Sequence, residues 1–258
     1  MRTRPKICWT KFWLPSFRSK MSNNNGDRSV GSVAIVVAAA GMGTRLQVAL
    51  PKALENVAGA PLLAHCLTSL LPVPDVGVVV VTSPRGFEDQ VCGVCAGFPQ
   101  LPTAVVTGGA ERSDSIALAL QAVPSSCEVV LVHDAARAFA PAVLFERVVS
   151  AVRGGASAVV PGLAVNDTIR QLGSDGAVRG VVDRSNLRRV QTPQGFRRDE
   201  LVAAYQRYAS ASVTDDASLM ELAGVQVVVV DGDEAAFKVT TPFDRKLAEV
   251  VVKSRELA

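Results

Sequence analysis

The sequence predicts an α/β fold in which a doubly wound, mostly parallel sheet carries a projecting β-hairpin arm. Two observations predict the sheet: short runs of small and β-branched apolar residues recur along the chain, and segments with helical spacing alternate with them. A third observation predicts the arm, because the chain turns polar and strand-like around a central turn between about residues 167 and 190.

Strands and helices alternate in chain order, which is typical of a parallel sheet with right-handed crossovers. The predicted strands are 33–40, 76–81, 104–106, 129–132, 156–160 and 225–230. The predicted helices are 61–71, 114–122, 141–153, 199–208, 215–222 and 242–255. Ser113 or Asp114 is the expected N-cap of the second helix. Segments 168–172 and 177–182, joined by a turn at 174–176, form the arm.

The first 32 residues are predicted to be a basic and polar extension outside the fold, and residues 33–258 to form one domain. The first twenty residues hold six of the 27 basic residues and no acid, so the remainder has 21 bases against 24 acids. This balance excludes a general polyanion binder, and no nucleic-acid partner is expected. We expect Met21 to be the true start, and no second enzyme to be fused behind the domain.

The chain has no apolar run near the ~18 residues of a membrane span, so no membrane partner is expected. Its five cysteines are odd in number and scattered, which argues against a disulfide framework. The pair Cys92 and Cys95 has a redox or half-zinc spacing, but no second pair or nearby histidine completes a metal site. Ordinary thiols and a cytoplasmic location are therefore expected.

The strongest local motif is a glycine turn with two cations directly after the first predicted strand. It reads AAAGMGTRL over residues 38–46, and Pro51 and Lys52 follow it. Glycines let the backbone approach an anion closely, and successive N–H groups can form a phosphate nest. The third glycine of a dinucleotide fingerprint and the Gly-Lys-Ser/Thr ending of a Walker loop are both missing. The two cations, Arg45 and Lys52, favour the interpretation of a phosphoryl-transfer site, in which they neutralise negative charge. The alternative is a plain strand-to-helix turn with solvated cations.

A second motif, His133 to Arg137, follows the predicted strand 129–132. Ligands of open parallel sheets bind beyond the carboxyl ends of the strands. Asp134 is therefore predicted to hold Mg²⁺, a hard cation usually shared with substrate phosphates. Arg137 either grips a phosphate or anchors the loop to a carboxylate. His133 is expected to be a packed residue that fixes the loop rather than a base.

Polar residues further along the chain can each be explained as turn formers, caps or solvated charges. They are Asp167, Thr168, Arg184, Thr192, Gln194, Thr214, Asp215, Asp216 and Lys238. Lys238 differs from the others because it lies between Phe237 and Val239. Buried lysines usually have an anionic partner, so such a partner is expected.

In this order, the motifs resemble those of the 2-C-methyl-D-erythritol 4-phosphate cytidylyltransferase family of the non-mevalonate isoprenoid pathway. The resemblance covers about residues 33–252 and rests on AAAGMGTRL with PK, GGAERSDS, HDAAR, NDT, VQTPQGF, TDDAS and FKVTT. It implies a Rossmann-like nucleotidyltransferase sheet, and transfer of CMP from CTP to methylerythritol phosphate with release of pyrophosphate. The chain departs from the pattern at Ala38, Thr44 and Ala110, and none of these changes removes a catalytic charge.

The resemblance also implies a role for each matching position. Arg45 and Lys52 match the pair that stabilises the pentavalent transition state, and Arg184 and Lys238 match the pair that positions the attacking substrate. The cytidine-binding wall is matched by Ala39, Ala40, Gly41, Gly43, Gly109 and Ser115. The substrate and metal site is matched by Asp134, Arg137, Thr168, Thr192 and Thr214, with Asp134 as the protein ligand of Mg²⁺.

Enzymes of this family are homodimers whose projecting hairpins clasp the partner subunit. The matching arm is 167–190, so the resemblance implies that Thr168 and Arg184 serve the neighbouring active site.

Three rival interpretations remain at this stage. Ribitol-5-phosphate cytidylyltransferase shares the glycine loop, an HDA-type loop and a TPQ segment. A sugar-1-phosphate uridylyl- or thymidylyltransferase shares the glycine loop, but HDAAR and TPQ argue against it. A non-catalytic nucleotide-binding regulator is disfavoured because Arg45, Lys52, Arg184 and Lys238 are all present.

Overall fold

The computed structural model describes residues 7–9, 31–42, 50–208 and 213–256 of the chain. Gly43 and Arg45 of the predicted glycine turn lie outside these ranges, as does the expected start at Met21. Within the described part, no helix is both long enough and apolar enough to cross a membrane.

A nine-stranded mixed sheet forms the centre of the molecule, and two small two-stranded sheets accompany it. The strands are β1 Ile7–Trp9, β2 Val33–Ala38, β3 Asn56–Val57, β4 Ala60–Pro61, β5 Val76–Ser83, β6 Thr103–Thr107, β7 Val129–Asp134, β8 Ala158–Ala164, β9 Ile169–Leu172, β10 Val178–Val182, β11 Arg188–Val190, β12 Gln194–Arg197 and β13 Val227–Asp231. The main sheet runs β1-β6-β5-β2-β7-β12-β8-β11, and β13 pairs with β8. Pairing is parallel between β6, β5, β2 and β7 and again between β13 and β8, which confirms a mostly parallel sheet.

The described chain has seven α-helices, of which six lie between strands and one follows the last strand. They are α1 Leu62–Leu70, α2 Glu88–Ala96, α3 Arg112–Leu120, α4 Ala142–Arg153, α5 Arg198–Arg207, α6 Asp216–Leu222 and α7 Pro242–Glu256. Short 3₁₀ turns lie at Lys52–Leu54 and Glu234–Ala236. The N-cap of α3 is Glu111 rather than Ser113 or Asp114, and the Glu111 N–H donates to the Asp114 carboxylate at 3.1 Å. The helix therefore begins earlier than predicted, and Asp114 acts from its first turn.

Apolar layers cover both faces of the sheet, as the predicted doubly wound fold requires. Alternate residues of β2 point to opposite layers: Ile35 belongs to one core cluster and Val36 to the other, and both are fully buried. The first layer includes Phe145 of α4, and the second includes Ile116 of α3 and Leu201 of α5. Side chains alternate along a strand, so continuous apolar strands bury both faces under helices.

Three elements differ from the sequence-based prediction. Ile7–Trp9 pairs antiparallel with β6, so part of the expected N-terminal extension joins the sheet. Helix α2 was not predicted, because only Val91 and Cys95 of its nine residues are buried and its apolar pattern is weak. Strand β12 inserts antiparallel between β7 and β8, an arrangement set by long-range pairing.

The predicted hairpin is confirmed as a separate two-stranded sheet in which β9 and β10 pair antiparallel. Its pairing ends at Val182, because Arg188–Val190 returns to pair with β8 in the main sheet. The paired strands of the hairpin therefore span 169–182 within the predicted arm of about 167–190, whose role in dimerisation stays a prediction. Its apolar side chains Leu172, Val178 and Val181 are 59%, 56% and 61% exposed.

The inserted strand β12 supplies a test of the core. Phe196 is fully buried in it, so we expect Phe196→Ala to lower the free energy of unfolding by about 3–5 kcal/mol through lost burial and a residual cavity. Phe243→Ala is the matched control, because the Phe243 side chain is 75% exposed and its removal should change stability by less than about 0.5 kcal/mol. Urea unfolding of both variants measures the difference, and equal losses would contradict this packing.

Candidate functional site

A cavity of about 710 Å³ lies where the loops after β2, β5, β6 and β7 converge. Its lining includes Ala39, Ala40, Gly41, Met42, Lys52, Thr82, Arg85, Gly108, Gly109, Glu111, Arg112, Ser115, Asp134 and Lys238. These strands are parallel, so their carboxyl ends share one edge of the sheet. Such an edge is where ligands bind in open α/β sheets.

Glycines 108 and 109 form one wall of the cavity because the chain packs too closely there for side chains. A Cβ on Gly108 would lie 2.6 Å from the Cβ of Ala40, and one on Gly109 would lie 2.3 Å from the Cβ of Asp114. The buried Ser115 hydroxyl fixes the turn by accepting from the Gly109 N–H at 3.1 Å and donating to the Glu111 carbonyl at 3.0 Å. The wall facing a ligand here is therefore largely main chain.

Asp134 lies at the end of β7 and is the charged centre of the cavity. Its Oδ2 is 2.7 Å from Lys238 Nζ, and its Oδ1 is 3.4 Å from Arg112 Nη2. Only 12% of the Asp134 side chain is exposed. Burial disfavours the charged form, but the charges of Arg112 and Lys238 outweigh it and lower the pKa from its ordinary value of 3.8 to about 2. The carboxylate is therefore ionised at neutral pH.

Lys238 has the anionic partner that its sequence context predicts. The side chain is 45% exposed at the cavity wall, so the expected burial is wrong while the expected partner is confirmed. It lies in a loop without helix or strand structure, anchored where the Val239 N–H donates to the Ala136 carbonyl at 2.8 Å. The main chain of Val239, next to Lys238, thus holds this loop against the HDAAR turn.

Thr192 and His133 hold Asp134 in place through hydrogen bonds on the side away from the cavity. The Thr192 hydroxyl accepts from the Asp134 N–H at 3.0 Å and lies 3.1 Å from His133 Nδ1, while His133 Nε2 lies 3.3 Å from the Arg137 carbonyl. A carbonyl can only accept, so Nε2 carries the ring proton and Nδ1 accepts from the Thr192 hydroxyl. Burial lowers the pKa of His133 to about 4, so the ring is neutral and packed, in the structural role expected for it.

Arg137 anchors two neighbouring segments instead of lining the cavity. Its Nη1 donates to the Ala236 carbonyl at 2.7 Å, and its Nη2 donates to the Val190 carbonyl at 3.2 Å. Its partners are main-chain carbonyls rather than the carboxylate expected for an anchor. Arg137 and the buried Thr192 thus direct these polar groups into the protein and do not line the cavity, and their contacts with substrate stay a prediction.

The arm and the start of α6 carry the remaining predicted site residues. Thr168, Arg184 and Thr214 are exposed and do not line the cavity of the described chain. Arg184 donates to the Asn166 carbonyl at the base of the arm. Thr214 Oγ1 lies 3.5 Å from Ser218 Oγ. Their predicted roles in the substrate site therefore stay a prediction.

Arg85 and Arg112 line the cavity although neither was singled out from the sequence. Arg112 lies inside the quoted GGAERSDS motif, so its position at the start of a helix after a predicted strand was a usable signal. Arg85 lies two residues after the end of β5, which is the same kind of signal. Thr82 was also missed, and its hydroxyl accepts from the Ala39 N–H at 3.0 Å.

The cavity has the chemistry of a polyanion site that also contains one ionised carboxylate. Lys52, Arg85, Arg112 and Lys238 supply positive charge, and backbone N–H groups near glycines can bind phosphate oxygens. The described residues contain no cluster of three or more His, Cys, Asp or Glu side chains able to hold a metal ion by themselves. One ionised carboxylate nevertheless fits Mg²⁺, which usually takes one or two carboxylates and completes its shell with substrate phosphates and water.

Comparisons with known proteins agree with this geometry. The model of the family described as IspD, 2-C-methyl-D-erythritol 4-phosphate cytidylyltransferase, matches residues 33–254. A cytidylyltransferase of that description from Streptomyces avermitilis is 43% identical over 87% of this chain and 93% of its own length. A bifunctional IspD/IspF enzyme from Clavibacter michiganensis is 45% identical over 92% of this chain, which spans 58% of that longer protein.

The crystal structure of 2-C-methyl-D-erythritol 4-phosphate cytidylyltransferase from Thermus thermophilus is also similar. It superposes with a TM-score of 0.71 at 36% identity and covers 86% of this chain and 99% of its own.

The pairing of Lys238 with Asp134 predicts a pH-dependent loss of stability in Lys238→Met. The folded-state pKa of Asp134 lies below its ordinary value, so its stabilisation is complete above pH about 4 and is lost as the pH falls toward 2. We expect the variant to lose ~1 kcal/mol of unfolding free energy at pH 7, since water screens part of the exposed Lys238 charge. The loss should shrink between pH 4 and pH 2 in urea unfolding series. Lys246→Met on the exposed face of α7 is the control, and an equal loss in both variants would exclude the pairing.

Proposed function

The chain belongs to the 2-C-methyl-D-erythritol 4-phosphate cytidylyltransferase family, and we propose that it transfers CMP from CTP to 2-C-methyl-D-erythritol 4-phosphate. A phosphate oxygen of the acceptor forms a bond to the α-phosphorus of CTP, and the bond from that phosphorus to the β-phosphate oxygen breaks. The products are 4-diphosphocytidyl-2-C-methyl-D-erythritol and pyrophosphate. The chemistry requires no covalent intermediate on the protein.

The observation that carries the proposal is the convergence of a glycine wall and several cations on one cavity at the carboxyl edge of the sheet. A nucleoside triphosphate and a phosphorylated acceptor bring many negative charges together, and transfer adds charge to the α-phosphoryl oxygens. Pre-placed cations stabilise that charge without reorganising at the moment of reaction. Positioning and charge neutralisation are the main contributions to catalysis in such transfers.

The proposed roles of Lys52 and Lys238 follow their positions in the cavity lining, and the proposed role of Arg45 follows its match to the family motif. Lys52, together with Arg45, neutralises the triphosphate at the α-phosphorus. Lys238 orients the acceptor phosphate, with its ammonium held in place by Asp134 at 2.7 Å. Ala39, Ala40, Gly41, Gly43, Gly109 and Ser115 form the proposed cytidine wall, in which main-chain groups contact the nucleoside.

Magnesium is the proposed cofactor. Asp134 would hold it together with triphosphate oxygens, because the carboxylate is ionised at neutral pH and faces the cavity. When bound, the ion supplies charge neutralisation for the triphosphate and the pyrophosphate leaving group. Thr192 keeps the carboxylate in place by accepting from the Asp134 N–H.

We further propose a homodimer in which the arm completes the neighbouring site. The arm residues Thr168 and Arg184 do not line the cavity of the described chain, although the acceptor site needs their charge and hydroxyl in this mechanism. The exposed apolar side chains of β9 and β10 favour burial against a second subunit, since contiguous apolar surface marks interaction sites. The proposed location is the cytoplasm, because the five cysteines are odd in number and scattered along the sequence, which argues against a disulfide framework.

A pyrophosphate-release assay tests the activity and its specificity. CTP with methylerythritol phosphate should give turnover, whereas ribitol 5-phosphate and glucose 1-phosphate, each offered with CTP, UTP or dTTP, should not. Turnover with ribitol 5-phosphate and none with methylerythritol phosphate would establish the alternative acceptor.

Lys52 provides the test of the glycine-loop mechanism. Lys52→Ala should lower kcat/KM by about 30-fold to 1000-fold, which corresponds to a loss of ~2–4 kcal/mol of transition-state stabilisation. Lys246→Ala removes a lysine of α7 that does not line the cavity and should leave kcat/KM unchanged. Wild-type turnover in the Lys52 variant would refute the role proposed for this lysine.

Subunit mixing tests the shared site. Lys52→Ala and Arg184→Ala should each be nearly inactive alone, but a re-equilibrated equal mixture should recover about a quarter of wild-type activity. Half of the dimers in such a mixture are mixed, and each has one intact site of two. If activity does not recover although native mass spectrometry shows mixed dimers, Arg184 acts within its own subunit.

A further inference from the structure

A buried polar network connects the cavity to helices α5 and α6. Asp216, at the start of α6, is completely buried. One oxygen of its carboxylate accepts from the Tyr205 hydroxyl at 2.5 Å, and the other accepts from Arg112 Nη2 at 2.7 Å. The same Nη2 lies 3.4 Å from Asp134 in the cavity. Arg112 therefore lies between two carboxylates, one in the protein interior and one facing the ligand space.

The distances show which carboxylate holds Arg112. Asp216 has no solvent access, and a buried charge without a partner is strongly destabilising. Its contact with Arg112 is correspondingly short, whereas the contact of Arg112 with Asp134 is long. The Tyr205 hydroxyl satisfies the second oxygen of Asp216, so a single guanidinium nitrogen suffices for the pair.

This arrangement leaves other N–H donors of Arg112 available on the side that faces the cavity. Arg112 carries five N–H donors, and its side chain is 34% exposed at the cavity wall. Lys238 already neutralises Asp134 from the other side at 2.7 Å. Without the negative charge of Asp216, Arg112 would have Asp134 as its only carboxylate partner and would close on it. If Arg112 moved onto Asp134, it would use the N–H donors that otherwise face the cavity.

We propose that Asp216, supported by Tyr205, is a positioning residue that holds Arg112 away from Asp134 and presents the guanidinium to the triphosphate of bound CTP. The inference rests on the proposed function, because the triphosphate is the polyanion that Arg112 would bind. Arg112 acts as the direct contact, and Asp216 acts through it. Neither Tyr205 nor Asp216 lines the cavity, so a loss of nucleotide binding in their variants cannot come from a lost direct contact.

Asp216→Asn tests the proposal, because it keeps the shape of the side chain and removes its charge. Calorimetric titration with CTP and MgCl₂ should show affinity lowered by about tenfold, the size expected for a displaced charge-assisted hydrogen bond. In the steady state, KM for CTP should rise by about the same factor, while KM for methylerythritol phosphate stays within about twofold. Tyr205→Phe loosens the same carboxylate more gently and should weaken CTP binding by about threefold.

Two comparisons separate positioning from simple stability. Glu200→Gln changes a carboxylate on α5 that accepts from Ser157 at 2.9 Å outside the network, and it should leave CTP affinity unchanged. In an Arg112→Met background, Asp216→Asn should cause no further loss of CTP affinity, because its effect passes through the missing guanidinium. The double variant also removes both charges of the buried pair, so it remains measurable if Asp216→Asn alone fails to fold.

The outcomes are distinct. Wild-type CTP affinity in folded Asp216→Asn, or an additive loss in the double variant, would overturn the positioning role and leave the proposed function intact. An inactive wild-type enzyme with CTP and methylerythritol phosphate would instead overturn the proposed function. Equal increases in KM for both substrates would also contradict the proposal, since Arg112 is assigned to the nucleotide alone.

Discussion

The buried carboxylate of Asp134 is the interaction on which the arrangement of the cavity depends. It is mostly removed from water, so it can stay ionised only because Lys238 and Arg112 bring positive charge to it from two different parts of the chain. Each cation is fixed in turn: Lys238 by the loop that bonds to Ala136, and Arg112 by Asp216. A single charge therefore ties the end of β7 to the segment before α7 and to the starts of α3 and α6.

The polar groups around this charge divide into an inner set that forms hydrogen bonds within the protein and an outer set that faces the cavity. Thr192, His133 and Arg137 bond to main-chain atoms or to each other beneath the cavity. Lys52, Arg85 and Lys238 reach its surface. The division explains why polar residues of one motif, such as Asp134 and Arg137 in HDAAR, take different roles. The Asp134 side chain faces the cavity, whereas the Arg137 side chain, three residues later, points into the protein.

The sequence predicted the parallel strands, the hairpin and the edge of the sheet at which the site lies, because alternating apolar strands and helices follow from local patterns. It also predicted that Lys238 has an anionic partner. It did not predict β12 or the return of Arg188–Val190 to the main sheet, because antiparallel insertion is decided by long-range pairing. Arg112 was missed for a similar reason: its two carboxylates are 22 and 104 residues away along the chain, and only the fold brings them together.

The main-chain wall at Gly108 has a consequence for how this site could respond to an inhibitor. An added Cβ there would approach the Cβ of Ala40 to 2.6 Å and the Ser115 hydroxyl to 2.8 Å, so the position tolerates little besides glycine. A compound that rests on this wall would contact atoms common to every amino acid. Resistance by a point mutation would then have to arise elsewhere in the pocket, or disrupt the close packing of this turn.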